Sequence, residues 1–256
     1  MKANYHTHTW RCNHATGNEA QYVENGLKAG LEVLGFADHT PYPFPESHRS
    51  SFRMEMEQLP VYVDTVLQLR QRYRGQIEIP LGLEAEYYPK HFPQLLEILR
   101  DYPMDYLILG QHFVHNEYDA PYNGLASKDE VLLRQYVHQS CDAMNTGLFT
   151  YFAHPDLMNF RGSDRLYQQH MRDICREAKS CGIPLEYNLL GLAGCRHYPN
   201  RLFWELAAEE GCTVILGRDA HEPGALLDGK TEEKARDNLR ALGLEPLERV
   251  ELRAIR

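Results

Sequence analysis

Short apolar runs alternate with amphipathic helical patterns seven times along this chain, and that rhythm limits the fold more than any other feature. The runs read as strands at 4–9, 32–39, 77–86, 106–112, 149–156, 184–188 and 213–221. Between and after them, apolar residues recur at helical spacing over 18–30, 59–73, 92–100, 127–146, 163–181, 200–210 and 231–242. Gly30 and Gly211 suit helix ends, Ser163 suits an N-cap, and Ser127 with Glu130 reads as a capping box. Strand–helix alternation predicts a parallel sheet with helical crossovers. Seven such units can close into a barrel or stay open as a doubly wound sheet. No Gly-rich or polar linker divides them, so a single domain over 1–256 is expected. The closing stretch 249–252 could add a short strand or an edge piece.

The strands end in ionisable residues. His6 and His8 lie two apart on the first strand, so both aim at one face. His39 ends the second strand, Glu84 the third, His112 the fourth and His154 the fifth; Asp219 and His221 end the seventh. In a parallel barrel these ends converge on one face, where the active sites of such folds sit. With His14 from the first loop they make nine candidate metal ligands, seven of them drawn from the chain's 13 histidines. His48, His91, His115, His138, His170 and His197 fall in loops or helices and mostly read as ordinary polar residues, with His115 and His197 open as residues that line the pocket. A catalytic zinc-like site takes about three protein ligands and keeps an open position. Nine ligands with one bridging carboxylate therefore call for two or three divalent ions. Nitrogen and carboxylate donors without thiolate suit zinc, manganese, iron or cobalt. A dinucleotide-binding sheet would carry GxGxxG after its first strand; this chain carries His-Thr-His-Thr there.

Net charge is −9, from 27 basic and 36 acidic residues, which argues against general affinity for nucleic acid or anionic membrane. No run is long and apolar enough to span a bilayer, and polar residues from position 4 leave no secretory core, so a cytoplasmic location is expected. The 6 cysteines show no CxxC spacing, and a disulfide framework is not expected. Cys12 stands apart because it lies inside the opening histidine motif. Pro41, Pro43 and Pro45 make 40–54 a long loop, of the kind that often carries function.

Taken together, His6-x-His8, His14, Ala37-Asp-His39, Gly82-Leu-Glu84-Ala-Glu-Tyr, His112, Ala153-His154-Pro-Asp and Gly217-Arg-Asp219-Ala-His221 resemble the polymerase and histidinol phosphatase (PHP) superfamily. The likeness runs from residue 4 to about 222 and is closest to the stand-alone histidinol-phosphate phosphatase branch. It implies a distorted (β/α)7, TIM-like barrel with a trinuclear centre. By motif, one ion would be held by His6, His8, Glu84 and Asp219. A second would be held by Glu84, His112 and His154, and the third by His14, His39 and His221. Arg161 and Arg196 match the branch's phosphate-binding positions. The chain departs from the commoner wording at Arg218, where a small residue is usual, and at Gly110-Gln111-His112, where SVH is common; both bear on pocket shape.

The resemblance implies hydrolysis of L-histidinol phosphate, a small-molecule phosphate ester of histidine biosynthesis, by a phosphoric monoester hydrolase. A hydroxide between the two ions bridged by Glu84 would attack phosphorus in line, with Glu84 and Asp219 holding the ions and the arginines holding the equatorial oxygens. His197 is a candidate acid for the leaving alkoxide. Glu86, Glu117, Asp156 and Glu186 are candidates to meet the substrate amine. Alternatives are another phosphate monoester or nucleotide, or a metal-binding regulatory module without turnover; the complete ligand set argues against the module. Metal identity and oligomeric state stay open.

Overall fold

The computed structural model describes residues 1–255. The chain begins with β1 (Ala3–Asn4), α1 (Glu19–Lys28), β2 (Val33–Leu34), β3 (Phe36–His39), α2 (Leu59–Arg72) and β4 (Leu81–Ala85). It continues with α3 (Phe92–Leu99), β5 (Tyr106–Leu109), α4 (Glu130–Asn145), β6 (Phe149–Phe152), α5 (Asp164–Cys181) and β7 (Leu185–Asn188). It closes with α6 (Leu189–Ala193), α7 (Arg201–Glu210), β8 (Val214–Gly217), α8 (Gly229–Ala241) and β9 (Pro246–Leu247). Strands β3 to β9 form one parallel sheet in chain order, and β1 pairs in parallel with β2.

The segment after β1 closes the ring. Ala37 N donates to Thr7 O (2.9 Å) on one side; on the other, Ala220 N donates to His6 O (3.1 Å) and His8 N to Ala220 O (3.0 Å). The first segment thus lies between β3 and the end of β8, while β9 pairs with the start of β8. The expected α/β barrel with helical crossovers is the observed architecture.

Side chains alternate along each strand between two layers, as strands buried on both faces require. Leu107, Leu109, Val214 and Leu216 point out to the helices. Tyr106, Ile108 and Ile215 point in, with Tyr5, Ala37, Tyr151 and Ala153, and fill the barrel floor. The same alternation carries the next inward positions, among them His39, Glu84, Glu186 and Asp219, to the C-terminal mouth. The helices seal the outer layer: α5 buries Tyr167, Met171, Ile174, Cys175 and Ala178 along one stripe. Each large apolar side chain there contributes about 1.5–3 kcal/mol.

Local readings differ in several places. Runs read as strand through 9, 112, 156 and 221 are regular strand only to Asn4, Leu109, Phe152 and Gly217, so His6, His8, His112, His154, Asp219 and His221 follow the strand ends rather than lie within the strands. Ser127 does not cap α4: Asp129 does, accepting from Val131 N and Leu132 N, because 127 is held extended against Phe160. The strand expected from 77 begins only at Leu81, since Pro80 has no N–H to donate. The closing strand is Pro246–Leu247 rather than 249–252. Helix α6, capped by Asn188, was not anticipated in its apolar run.

Candidate metal centre

Glu84, 1% exposed, is the hub of the barrel mouth. His154 Nε2 and His112 Nε2 lie 2.8 and 3.5 Å from its Oε1. His39 Nδ1, His8 Nε2 and His6 Nε2 lie 2.9, 3.6 and 3.7 Å from its Oε2. Asp219 Oδ1 stands 3.2 Å from His8 Nε2 and 3.4 Å from His6 Nε2. The His221 ring stacks between His8 and His14, at centroid distances of 4.0 and 4.5 Å. All nine residues singled out in the sequence therefore meet in one cluster.

Backbone features make room for it. A Cβ on Gly110 would come within 2.0 Å of Glu84 Oε1, and one on Gly217 within 2.0 Å of Glu186 Oε2. His154 and Asp219 leave their strands with φ of 34° and 48°, left-handed values that non-glycine residues rarely adopt.

The residues fit divalent ions. His6 Nε2, His8 Nε2, His39 Nδ1, His221 Nε2 and Glu84 Oε2 are buried atoms with no hydrogen-bond partner. Leaving one buried polar atom unpaired costs about 1–3 kcal/mol, so this many in one spot call for a common partner. Imidazole nitrogen and carboxylate oxygen are donors to zinc-like cations. His6, His8 and Asp219 form one set whose donor atoms lie within 4.8 Å of one another; His6, Glu84 and His154 form another, and His14, His39 and His221 a third. Burial alone would raise the two carboxyls. The imidazoles reverse it and hold Glu84 and Asp219 well below the usual carboxylate range.

An outer layer orients the rings. His6 Nδ1 donates to Glu186 Oε2 (2.8 Å) and His112 Nδ1 to Glu86 Oε1 (2.9 Å). His221 Nδ1 donates to the Asp219 carbonyl (3.0 Å), His14 Nδ1 to that of Cys12 (2.7 Å). Each bond turns the other ring nitrogen toward the cluster. Asn188 donates to both Glu186 (2.8 Å) and Asp219 (3.1 Å). Glu186→Gln should therefore weaken metal affinity about 10–100-fold in a competitive chelator titration; unchanged affinity would show that His6 does not depend on it.

These contacts correct the expectation for the substrate amine. Glu86 and Glu186 are committed to histidines, Glu117 accepts from Arg53 Nε (2.8 Å), and Asp156 accepts from Asn200 N and Trp204 Nε1. None of the four lines the cavity over the cluster. That cavity, of ≈ 460 Å³, is walled by Phe52, Phe113 and Tyr122 on one side and by Arg196 and Tyr198 on another. The Pro-rich loop contributes Ser51 and Phe52, as its length led us to expect. Arg196 Nη1 donates to Tyr198 Oη (2.7 Å). Arg161 is exposed and His197 half-buried, and neither lines the cavity. His197 Nε2 is bonded to the Leu157 carbonyl (2.7 Å) and burial pushes its pKa down, so it is not poised as the expected acid. Arg218 points outward, because it alternates with inward Asp219, and binds the Asp228 carbonyl and Glu232. Gln111 is buried against Tyr87 N and Phe113 O. Reasoning from sequence missed Tyr198 and the orienting roles of Glu86, Glu186 and Asn188. For the last two, the polar alternation in Leu185-Glu-Tyr-Asn188 was the available signal.

The PHP domain model matches residues 4–189. The chain belongs to the PHP domain family. A probable histidinol-phosphatase of Deinococcus radiodurans is 33% identical over 229 residues, covering 86% of each chain. The histidinol-phosphatase of Bacillus subtilis is 26% identical over 256 residues, covering 88% of this PHP chain and 95% of its own. Among solved structures, histidinol phosphate phosphatase from Lactococcus lactis, complexed with zinc, L-histidinol and phosphate, superposes with a TM-score of 0.75. It is 20% identical and the match covers 97% of this chain and 98% of that one. At that identity the likeness speaks to the fold.

Proposed function

We propose that this PHP chain is a metal-dependent phosphatase that hydrolyses L-histidinol phosphate to L-histidinol and phosphate, a step of histidine biosynthesis. The observation that carries the reading is Glu84. Its two oxygens address different imidazole sets, His112 and His154 on one side and His6, His8 and His39 on the other, directly under an open cavity. The names of the relatives support the substrate. Two or three ions of zinc, manganese or iron would be held by His6, His8, His14, His39, Glu84, His112, His154, Asp219 and His221. Bound divalent ions supply Lewis acidity and lower the pKa of coordinated water toward neutrality.

The remaining work falls to the chain's own side chains. Arg196, held by Tyr198, presents its guanidinium to the phosphoryl oxygens. Arg161 is exposed and would act on the anion through its charge rather than by direct contact within the cavity. Burial pushes the Tyr122 phenol up to about 12, so it stays protonated and can hydrogen-bond the departing oxygen. Phe52, Phe113 and Tyr122 offer aromatic faces to the substrate's imidazole and ammonium groups.

Phosphate release by metal-reconstituted protein tests the reading, with L-histidinol phosphate and p-nitrophenyl phosphate compared at equal concentration. A preference of several hundredfold in kcat/KM, roughly 3–4 kcal/mol of substrate-specific transition-state binding, is expected. Comparable slow rates on both would overturn the substrate and leave a general phosphomonoesterase. Arg196→Ala should lower kcat/KM about 100-fold, roughly 2.7 kcal/mol, with metal content unchanged; a loss below threefold would remove Arg196 from the phosphate site.

A further inference from the structure

The cysteine that stands apart in the sequence, inside the opening histidine motif, is delivered by the fold to the metal cluster. Cys12 ends a single 3-10 turn, Trp10–Cys12, in which Cys12 N donates to Thr9 O (3.1 Å). Asn13 follows in the left-handed conformation, with φ of 66°, and reverses the chain so that His14 returns beside Cys12. Cys12 is 0% exposed, so no bulk water reaches its sulfur. Its thiol, His8 and His221 form a set whose donor atoms all lie within 4.8 Å of one another. His221 also belongs to the set with His14 and His39, so the two sets share a corner. His8 is fully buried, and its Nε2, like that of His221, has no hydrogen-bond partner. The other cysteines are elsewhere: Cys141, Cys175 and Cys181 lie on helices α4 and α5, Cys195 is exposed, and Cys212 bonds to the Cys175 carbonyl.

The geometry points to Cys12 as a thiolate ligand of the metal ion beside His221, an assignment that rests on the metal-dependent reading above. Ligation replaces the S–H bond by a sulfur–metal bond and releases the proton to solvent. The sulfur makes this end of the centre softer than the end around Glu84 and Asp219. Thiolate with imidazole favours zinc, cobalt or iron(II) over manganese or magnesium. The ions would then differ in kind: a thiophilic ion beside Cys12 and harder, exchangeable ions at the carboxylates. Cys12 also places His14, whose Nδ1 is held by the Cys12 carbonyl (2.7 Å).

Cobalt(II) reconstitution of the full chain tests the assignment. The cobalt-loaded wild type should show a sulfur-to-cobalt charge-transfer band in the near ultraviolet, and Cys12→Ser should lose it. A loaded wild type without the band, or Cys12→Ser that keeps it, overturns the assignment. Because Cys12→Ser is a core change, X-ray absorption of the zinc-loaded wild type gives a second readout: a sulfur scatterer at about 2.3 Å is expected, and its absence overturns the assignment. Metal content and phosphate release on the same samples separate the two readings. Protein that binds metal and turns over L-histidinol phosphate without a sulfur signature loses only the Cys12 ligand. Protein that binds no metal loses both.

Discussion

Glu84→Ala should abolish turnover, lowering kcat/KM by about 10³-fold or more, roughly 4 kcal/mol of transition-state stabilisation. The reason is the hub geometry. One carboxylate oxygen faces His112 and His154 and the other faces His6, His8 and His39, so a single truncation would remove the carboxylate from both imidazole sets. It would also remove a negative charge from the spot where bound cations would gather. Arg161→Ala is the contrast: the side chain is exposed, and its loss should cost less than tenfold. Kinetics on both variants, with metal content measured in parallel, decide the ranking. Equal residual activities with metal content unchanged would sink the hub role of Glu84.

Arg53→Ala should be the most destabilising single change outside the metal cluster, by about 3–5 kcal/mol at neutral pH, because it strands buried charge. Arg53 is 2% exposed; Nη1 and Nη2 reach Glu86 at 3.1 and 3.0 Å, Nε reaches Glu117 at 2.8 Å, and Nη1 reaches the Thr40 carbonyl at 2.7 Å. One guanidinium therefore ties the Pro-rich loop to the carboxylate that orients His112. A pH signature separates this from simple loss of packing. Burial would raise the Glu86 carboxyl, but Arg53 and His112 lower it below its ordinary value. A depressed carboxyl contributes stability above its unfolded pKa, near 4.3, and that contribution disappears as pH falls through the folded value. Without Arg53, burial gains weight and the folded protein favours the protonated acid. The variant's deficit should therefore shrink from neutral pH toward about pH 4. Denaturant unfolding of metal-loaded protein at the two pH values measures it. A deficit below about 1 kcal/mol at pH 7 would mean that the network carries little of the loop's stability.

The parts of this molecule that could be read in advance are those set by periodicity and position. His39, Glu84, His112 and Asp219 each follow an apolar run, and parallel strands bring their C-terminal ends to one face whatever the details of the helices. The cap of α4 could not be read, because Ser127 is claimed by a tertiary bridge to Phe160 and the role passes to Asp129. His197 looked available in Gly194-Cys-Arg-His, yet the turn aims it at the Leu157 carbonyl. The four acids open as candidates for the substrate amine are each hydrogen-bonded elsewhere, because a buried carboxylate takes the nearest donor, and here the donors are His6, His112, Arg53 and Trp204.

By itself, then, the amino-acid order determined the repeated strand–helix unit, the face on which its ionisable ends gather, and the histidine and carboxylate composition of that face. These follow from side-chain period along a strand and from the single direction of parallel pairing. Only the tertiary structure decided which acid orients which histidine, which arginine reaches the cavity, that Arg218 turns away while Asp219 turns in, and that Cys12 lies beside His8 and His221. Those outcomes depend on distances between segments far apart in the chain, and buried hydrogen-bonding groups pair by proximity in space rather than in sequence.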